Sequence, residues 1–326
     1  NDSLNDKGIQ GLTKFKKGTI LFPKSGASTF LNHRVIMGID GYVSSHLATI
    51  FPNAEKALSE YVYRMLINVD ARGLTADQNY PSLRITDIIN IKIPLPPLEV
   101  QREIVAEIEG YQKLIDGCRQ VIDSWKPQID IDPEWPVVKL GEICSFMTGG
   151  TPTSTIKEYY ENGKIPWLVS GDIHKEQIYD CDGRITEKGV SQSNAKYLPL
   201  NSVLIALNGQ GKTRGTVAIL RIENATCNQS LVSINPKDER LLSDFLYYQL
   251  KSMYQIIRNI TGDNQRSGLN IPILKDIKIY LPENVLKQQE IVAKIEDERK
   301  VVDGCRELIK TYEEKIKRVT DKVWEE

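Results

Sequence analysis

Gln-Arg-Glu-Ile-Val-Ala-Glu-Ile-Glu, residues 101–109, occurs again in altered form as Gln-Gln-Glu-Ile-Val-Ala-Lys-Ile-Glu, residues 288–296. The phrase Asp-Gly-Cys-Arg also occurs twice, with its cysteine at Cys118 and again at Cys305. The interval is the same in both cases, since 288 − 101 and 305 − 118 both equal 187. A repeat with so long a period predicts two copies of a whole domain plus its helix rather than a solenoid of short repeats.

Each copy begins with a Leu-Pro pair, at residues 95–96 and 281–282, and then shows the spacing of a long helix. Apolar residues recur every three or four positions on an otherwise charged sequence, which is typical of a coiled-coil seam. At 1.5 Å per residue, the helices should be ~45 Å and ~60 Å long and can pair with each other. The alternative is two unrelated surface helices, each packed on its own domain. The seam residues are Ile108, Ile115, Cys118, Ile122, Ile295, Val302, Cys305 and Ile309.

The rest of the chain shows mixed strand and helix patterns, which predicts an α+β fold with mixed sheets. A linker rich in proline follows the first helix and cannot continue it. Residues 241–257 are predicted to form one helix. The first domain matches the second in order but has no counterpart to residues 135–184, so we expect it to be incomplete at its start. Three explanations stay open: the chain is a fragment, the missing strands come from elsewhere, or the first domain is a reduced version. The predicted division is a first domain at 1–94, a first helix at 95–126, a linker at 127–134, a second domain at 135–283 and a second helix at 284–326.

The composition of the 326-residue chain, with 40% hydrophobic and 26% charged residues, is that of a soluble globular protein. No apolar run is long enough to cross a bilayer, and the polar start lacks a signal-peptide pattern. The five cysteines include no CxxC pair, which favours free thiols in a reducing cytoplasm. The net charge of −1 predicts that any anionic partner is bound by local patches rather than by the whole surface.

Polar loops are the candidate binding elements. Residues 208–213 end in Gly-Lys-Thr like a phosphate-binding loop, but Ala206 replaces the first glycine and a strand follows instead of a helix, which disfavours nucleotide binding. Their side chains can instead contact phosphates and base edges, although loops of this composition are often only solvated turns. The candidate DNA-binding residues are Thr151, Thr153, Ser154, Ser170, Asn208, Gln210, Lys212, Arg214, Asn264, Gln265 and Arg266 in the second domain, and Lys24, Ser25, Arg34 and Arg72 in the first.

The sequence shows little that could carry out chemistry. Its three histidines lack metal-ligand spacing, and no glycine-rich cofactor loop follows a strand. Residues 79–82, Asn-Tyr-Pro-Ser, do not match the Asn-Pro-Pro-Tyr motif of a methyltransferase. We therefore predict no catalytic residue, no cofactor and no metal, which indicates recognition rather than catalysis.

Together these motifs resemble the specificity (S) subunit of type I restriction–modification systems, and the resemblance covers the whole chain. In that family a recognition domain opens with Lys-Leu-Gly-Glu-Ile and Gly-Gly-Thr-Pro phrases, which are present here at residues 139–143 and 149–152. The domain ends in a Leu-Pro exit followed by a helix containing Gln-x-x-Ile-Val, and both copies have this exit. The stretch at residues 165–173 also matches. The first domain departs from the pattern because it lacks both opening phrases.

The resemblance implies two target recognition domains, each reading one half of a split double-stranded DNA target. The two helices would pair antiparallel as a spacer of fixed length. They would dock two methyltransferase (M) subunits, and restriction/translocase (R) subunits would join for cleavage, while the chain itself would not catalyse. Two alternatives stay open: the recognition half of a fused restriction–methylation enzyme, and a coiled-coil scaffold without a nucleic-acid role.

Overall fold

The computed structural model of the chain describes residue 5 and residues 7–74, 82–209, 211–260 and 268–325. It forms two compact units. Unit 1 contains Asn1–Ser124 with Val302–Glu326, and unit 2 contains Trp125–Val301. The boundary falls inside one long helix, so that helix contributes its first part to unit 2 and its last part to unit 1.

Unit 1 contains a small antiparallel sheet, several short helices and one long helix. Its elements are β1 (Ile20–Pro23), α1 (Ala27–Phe30), β2 (Val35–Ile36), β3 (Leu47–Ile50), α2 (Ser59–Ile67), a 3-10 turn (Ala71–Leu74), α3 (Ile85–Ile89) and α4 (Leu98–Ser124). The strand order is β2-β1-β3. Tyr61 and Met65 of α2 are fully buried and pack with Ile20 and Phe22 of β1, so helix α2 and the sheet share one core.

Unit 2 contains most of the strands and the start of the second long helix. Its elements are β4 (Val137–Lys139), α5 (Leu140–Ile143), β5 (Cys144–Thr148), β6 (Ile165–Leu168), β7 (Gln177–Ile178), β8 (Arg184–Ile185), α6 (Glu187–Ser191), β9 (Val203–Ala206), β10 (Val217–Leu220), β11 (Thr226–Cys227), β12 (Leu231–Pro236), α7 (Ser243–Ser252), α8 (Tyr254–Asn259), α9 (Ile271–Lys275), β13 (Lys278–Tyr280) and α10 (Val285–Glu325). The main sheet has the order β5-β12-β9-β10-β7, and smaller sheets have the orders β11-β6-β8 and β13-β4.

The main sheet of unit 2 is buried on both faces. Val203 and Ile205 of β9 belong to one core cluster, whereas Leu204 and Ala206 belong to another, because successive side chains of a strand point to opposite faces. The first cluster includes the buried side chains of α7, and the second includes Leu168 of β6. Strands covered on both faces are continuous hydrophobic runs, as β9 and β10 are. The predicted α+β fold with mixed sheets is confirmed.

The prediction of one helix over residues 241–257 is wrong. Helix α7 ends at Ser252 and α8 begins at Tyr254, with Met253 between them at a ψ of 8°, outside the helical range. The Met253 amide still donates to Gln249 O and Leu250 O at 3.2 Å. The apolar spacing continues through the interruption to the buried Ile257, so the pattern alone does not reveal the break.

The sequence repeat is also a structural repeat, down to single backbone hydrogen bonds. Strand β1 lies between β2 and β3, just as β9 lies between β10 and β12, and all four pairings are antiparallel. In unit 1, Leu83 N–H donates to Lys24 O at 2.7 Å; in unit 2, Leu269 N–H donates to Leu207 O at 3.0 Å. The two units therefore share one central framework, although unit 2 has more strands around it.

A buried glutamine joins each long helix to the domain that precedes it. Gln101 is 0% exposed; its Oε1 accepts from Leu58 N–H at 3.0 Å, and its Nε2 donates to Lys56 O at 2.9 Å and Pro96 O at 2.7 Å. Gln288, also 0% exposed, makes the same set of bonds, to Leu242 N–H (2.9 Å), Arg240 O (2.7 Å) and Pro282 O (3.4 Å). Each amide thus ties the helix start to the backbone before α2 or α7.

Within unit 1, α4 and the last part of α10 pair antiparallel. The rings of Tyr111 and Tyr312 stack at 5.5 Å, and the thiols of Cys118 and Cys305 interact. As the residue number rises on α4, it falls on α10, which defines the antiparallel direction. Because Cys118 and Cys305 are equivalent in the repeat and also face each other, the axis relating the two helices passes between them.

The predicted seam residues lie on the inner side of these helices to different degrees. Ile108, Ile115 and Val302 are at most 1% exposed, and Ile295 is buried in the core of unit 2. The other four, Cys118, Ile122, Cys305 and Ile309, are half-buried. An ion pair from Arg119 to Glu313 at 3.0 Å flanks the half-buried stretch.

Replacing Gln288 with leucine should destabilise the protein. The substitution removes three hydrogen bonds and leaves the partly buried Leu242 N–H and Arg240 O without their partner, and a buried group left unbonded costs roughly 1–3 kcal/mol. We expect a loss of about 2–4 kcal/mol in the free energy of unfolding, measured by urea titration. The matched control is Gln289→Leu, at the exposed neighbouring position, for which we expect a change below about 0.5 kcal/mol. Equal effects of the two substitutions would contradict this role of Gln288.

A short bifunctional alkylating reagent should link Cys118 to Cys305 in the native chain, while the buried Cys144, Cys181 and Cys227 remain unmodified. Burial and the contact with Cys305 raise the pKa of the Cys118 thiol, so the rate should increase with pH as more thiolate forms. Mass spectrometry of the digested protein identifies the linked peptides. Cys305→Ser should leave Cys118 alkylated but unlinked, and a link between any other pair would refute the helix register.

Candidate nucleic-acid interface

Polar loops of unit 2 meet at one end of its main sheet. Strand β5 ends beside the start of β12, where Thr148 pairs with Val232. Strand β9 also ends there, because Ala206 pairs with Leu231. In an antiparallel arrangement β10 begins where β9 ends. The segments 149–154, 207–209, 211–216 and 228–230 therefore lie at the same end of the sheet, although they are far apart in sequence.

The first of these loops depends on two glycines that approach other backbone closely. A Cβ on Gly149 would lie 1.7 Å from Cys227 O, so no other residue fits there without a shift. Gly150 N–H donates to the same oxygen at 2.9 Å, and Trp167 Nε1 donates to Gly150 O at 3.0 Å. Beyond this anchor, Thr151 Oγ1 donates to Gln229 Oε1 at 2.6 Å.

The second loop, which follows β9, contacts the 3-10 turn that contains His174 and also contacts Gly268. Thr213 Oγ1 lies 3.1 Å from His174 Nε2, in the 3-10 turn Ser170–Lys175. A Cβ on Gly268 would lie 1.9 Å from Asn208 Oδ1, so Gly268, the last residue of the polar stretch 261–268 (the third loop), touches the second loop. Tyr254 OH donates to Lys212 O at 2.9 Å, which fixes the backbone where the lysine is exposed.

The structure places the predicted residues of unit 2 as follows. Thr151, Thr153, Ser154, Asn208 and Lys212 are exposed at this end of the sheet, whereas Ser170 and Arg214 are half-buried. Gln210, Asn264, Gln265 and Arg266 lie outside the described residues. The exposed set combines hydroxyls, one amide and one ammonium, which can contact phosphates and base edges.

Unit 1 presents a smaller set at the equivalent place. Ser25 follows β1 by two positions, as Asn208 follows β9, and each precedes a glycine with positive φ, Gly26 at 83° and Gly209 at 137°. Ser25 and Lys24 are half-buried, and Ser25 Oγ lies 2.7 Å from His46 Nδ1. Arg72, in the 3-10 turn, is exposed.

Arg34 has to be removed from the predicted contacts. It is 5% exposed, and its guanidinium lies over the Phe22 ring at 3.6 Å and donates to Val69 O. Burial lowers the pKa of Arg34 to about 10. This arginine packs against the core of unit 1, so it does not present its charge to a ligand. A cationic residue beside a polar loop in sequence is therefore not always on the surface of that loop.

Residues missed by the sequence reasoning are Gln229, His174 and His46. Gln229 lies in a short Asn-Gln-Ser turn between β11 and β12, and this polar turn between two hydrophobic strands was the available signal. The two histidines lack metal-ligand spacing, so the sequence gives no signal for them. Within the described ranges, no group of His, Cys, Asp or Glu could hold a metal ion. No helix within those ranges is long and apolar enough to span a membrane.

Comparison with known proteins shows what this framework is. The family model for the type I restriction modification DNA specificity domain matches twice, at residues 3–123 and 133–318. The chain belongs to this family. The two matches correspond to the two copies of the repeat, so each copy is a specificity domain of this family together with its long helix.

The sequence identity to individual specificity subunits is low. The chain is 27% identical over 257 residues to the Type I restriction enzyme EcoR124I/EcoR124II specificity subunit of Escherichia coli, covering 73% of this chain and 62% of the relative. It is 32% identical over 189 residues to the Type I restriction enzyme MjaIX specificity subunit of Methanocaldococcus jannaschii, covering 51% and 42%. The chain thus spans less than two thirds of the length of these relatives.

A solved structure of a type I R-M system, concerning its complex assembly and conformational transition, contains a chain with the same fold. The TM-score is 0.59 at 22% sequence identity, with 95% of this chain and 82% of that chain covered. At this identity the similarity concerns the fold alone. The two chains therefore share the same overall fold.

Gly268→Ala should disturb the contact between the second and third loops. The added methyl would overlap Asn208 Oδ1 and make this exposed side chain turn away, so we expect a loss of at most about 1 kcal/mol in the free energy of unfolding, the low end for overpacking. Hydrogen exchange should also increase at Leu269, whose amide donates to Leu207 O. The matched control is Gly171→Ala, where a Cβ meets nothing within 4 Å. If both substitutions leave stability and exchange unchanged, the two loops do not form one surface.

Proposed function

We propose that this chain is the DNA sequence-recognition component of a type I restriction–modification complex. Each repeat would read one half of a bipartite double-stranded target. We assign the recognition domains to residues 1–94 and 135–283 and the spacer helices to residues 95–126 and 284–326, joined by the linker 127–134. The observation that carries the proposal is the position of the polar loops, which follow the central strand in both units.

The side chains of the exposed loops are better suited to sequence-specific recognition of DNA bases than to strong non-specific binding of the DNA backbone. Hydroxyl and amide groups such as those of Thr151, Ser154 and Asn208 form directional hydrogen bonds, which discriminate between base edges. Among the described residues of these loops, Lys212 is exposed and Arg214 is half-buried, and the net charge of the chain is −1, so attraction to phosphates along any DNA should be weak. Cationic surface would come from methyltransferase subunits, which the long helices and adjacent surfaces would dock. Methylation and cleavage would belong to M and R partners.

The paired helices are suited to hold two readers at a fixed distance. A split target requires a defined separation and rotation between its halves. A helix adds ~1.5 Å per residue, and a paired helix resists bending better than a flexible linker. The equivalence of Cys118 and Cys305 at the axis supports a symmetric arrangement, in which the two M subunits would meet equivalent surfaces.

Removing the cations of the second recognition domain tests the DNA-reading role. The triple variant Lys212→Ala, Arg214→Ala, Arg266→Ala should lower methylation of the target at least tenfold, because each good side-chain contact to DNA contributes about 1–3 kcal/mol. The measurement is genome-wide mapping of modified adenines after co-expression with the cognate methyltransferase subunit. The control variant replaces Arg240, Lys278 and Lys287, exposed cations outside the loop surface, with alanine. Unchanged methylation in the triple variant would favour the scaffold alternative.

Lengthening both helices tests the spacer role. One heptad inserted at facing positions of α4 and α10 keeps the seam on one side and adds ~10 Å. Since B-DNA rises ~3.4 Å per base pair, the gap in the methylated target should grow by about three base pairs. A heptad inserted in α4 alone breaks the pairing and should abolish methylation. An unchanged gap in the doubly lengthened variant would show that the helices do not set the spacing.

A further inference from the structure

A three-residue turn leads into β12 of unit 2, and an equivalent turn leads into β3 of unit 1. Ser230 N–H donates to Asn228 Oδ1 at 3.1 Å, and His46 N–H donates to Ser44 Oγ at 3.3 Å. The separation is 184 residues for the turns (228 − 44) and also for the strands that follow them (231 − 47). The first side chain of each turn therefore closes it in the same way.

The residue directly after the central strand holds the backbone of each turn. Leu207 N–H donates to Ser230 O at 2.9 Å in unit 2, and Lys24 N–H donates to His46 O at 2.9 Å in unit 1. Each turn therefore lies beside the polar loop that follows β9 or β1. The side chains of Gln229 and His46 are exposed at this end of their sheets. A fixed backbone thus presents an exposed polar side chain in both units.

The Gln229 side chain is held by a neighbouring loop. Thr151 Oγ1 donates to Gln229 Oε1 at 2.6 Å. Thr151 follows the glycine pair 149–150, whose second amide donates to Cys227 O at 2.9 Å, and Cys227 lies two residues before Gln229. Ordering a long, flexible side chain opposes binding, and an intramolecular bond that already orders it reduces this cost. The amide of Gln229 is therefore oriented in advance for a ligand at this end of the sheet.

The His46 ring is held in a similar way. Ser25 Oγ lies 2.7 Å from His46 Nδ1, and Ser25 belongs to the loop that follows β1. This contact occupies Nδ1, so the ring can offer its other nitrogen, Nε2, to a ligand. In both units, a hydroxyl from another loop thus positions an exposed polar side chain of the turn.

The two side chains can form different numbers of hydrogen bonds. Beyond its bond to Thr151, the Gln229 amide keeps two N–H donors and a second lone pair on Oε1. Such an amide can donate to adenine N7 and accept from adenine N6 at the same time in the major groove. The imidazole of His46 can make one contact through Nε2. Unit 2 therefore offers a bidentate contact to a base, and unit 1 offers a single contact.

We propose that Gln229 reads one adenine in the half-site of unit 2 and that His46 contacts one base in the half-site of unit 1. Thr151 and Ser25 are the positioning residues of these two contacts. The inference rests on the proposed function, DNA recognition, and assigns a base chemistry to one position of the target. If the bond between Thr151 and Gln229 served only to join two loops, its loss would not change the preference for any base.

Gln229→Met tests the bidentate contact. Methionine has a similar length but no N–H donor and only a weak acceptor. The preference for an A·T pair at one position of one half-site should fall about tenfold or more, which corresponds to about 1.4 kcal/mol. The measurement is genome-wide mapping of modified adenines after co-expression with the cognate methyltransferase subunit. Gln128→Met, at an exposed position of the linker, is the matched control and should leave the target unchanged.

Gln229→Glu is a second variant, which decides the question if methionine disturbs the turn. Glutamate keeps an acceptor for the Thr151 hydroxyl but has no donor for adenine N7. A carboxylate accepts from cytosine N4. The preferred base at that position should therefore change from adenine towards cytosine.

The positioning residue and the other half-site provide further tests. Thr151→Val removes the bond to Gln229 and keeps the side-chain shape, so it should relax the same position by a smaller factor. Loss of a phosphate contact would instead weaken methylation uniformly across sequences. His46→Leu should relax one position in the other half-site, so the His46 and Gln229 variants serve as controls for each other.

A bipartite target that Gln229→Met and Gln229→Glu both leave unchanged overturns the inference and leaves the proposed function standing. A uniform loss of methylation in both variants, without a relaxed position, also overturns it, because Gln229 would then have a structural role. Relaxation by the Gln229 and His46 variants within one half-site has the same consequence. A wild-type chain that directs no bipartite methylation overturns the proposed function, and the inference with it.

Discussion

The buried amide at the start of each long helix is the interaction on which the architecture depends. Gln101 and Gln288 are each completely buried, and each uses both ends of its amide on backbone groups of the preceding domain. A buried amide that is fully bonded tolerates one position only, since any shift leaves its donors and acceptors unsatisfied. The direction in which each helix leaves its domain is therefore determined by these hydrogen bonds and does not require contact between the two helices.

The pairing of the helices follows from that joint and from the repeat. Helices that leave two equivalent domains by the same joint can pair symmetrically only if equivalent residues meet at the axis. Cys118 and Cys305 are these residues, and Tyr111 and Tyr312 stack farther along the same seam. The two units nonetheless differ around their common framework. Unit 2 surrounds its central strands with additional sheets, whereas in unit 1 the described residues leave corresponding edges uncovered.

The loops of the candidate site could be predicted from the sequence because a turn depends on the residues within and next to it. The glycine pair at residues 149–150 and the polar loop at residues 208–214 stand out as turns between hydrophobic strands, and the structure brings them to one end of the sheet. Whether a given side chain is buried could not be predicted in this way, because burial depends on residues that are distant in the sequence. Arg34 is read from sequence as a surface cation, yet Phe22 and Val69 enclose it.

The sequence by itself determined the repeat, the two long helices, their apolar seam and the α+β class, because all of these follow from spacing and from repeated words along the chain. Tertiary structure alone decided which loops share a surface, which cations are buried and which strand edges are covered. These properties arise from contacts between residues such as Asn208 and Gly268, or Ser25 and His46, that no local pattern connects. The Ile-Lys-Ile triplet at residues 277–279 overlaps the paired strand β13, whereas the same triplet at residues 91–93 has no strand partner among the described residues, because pairing depends on the neighbouring segment as well as on the strand itself.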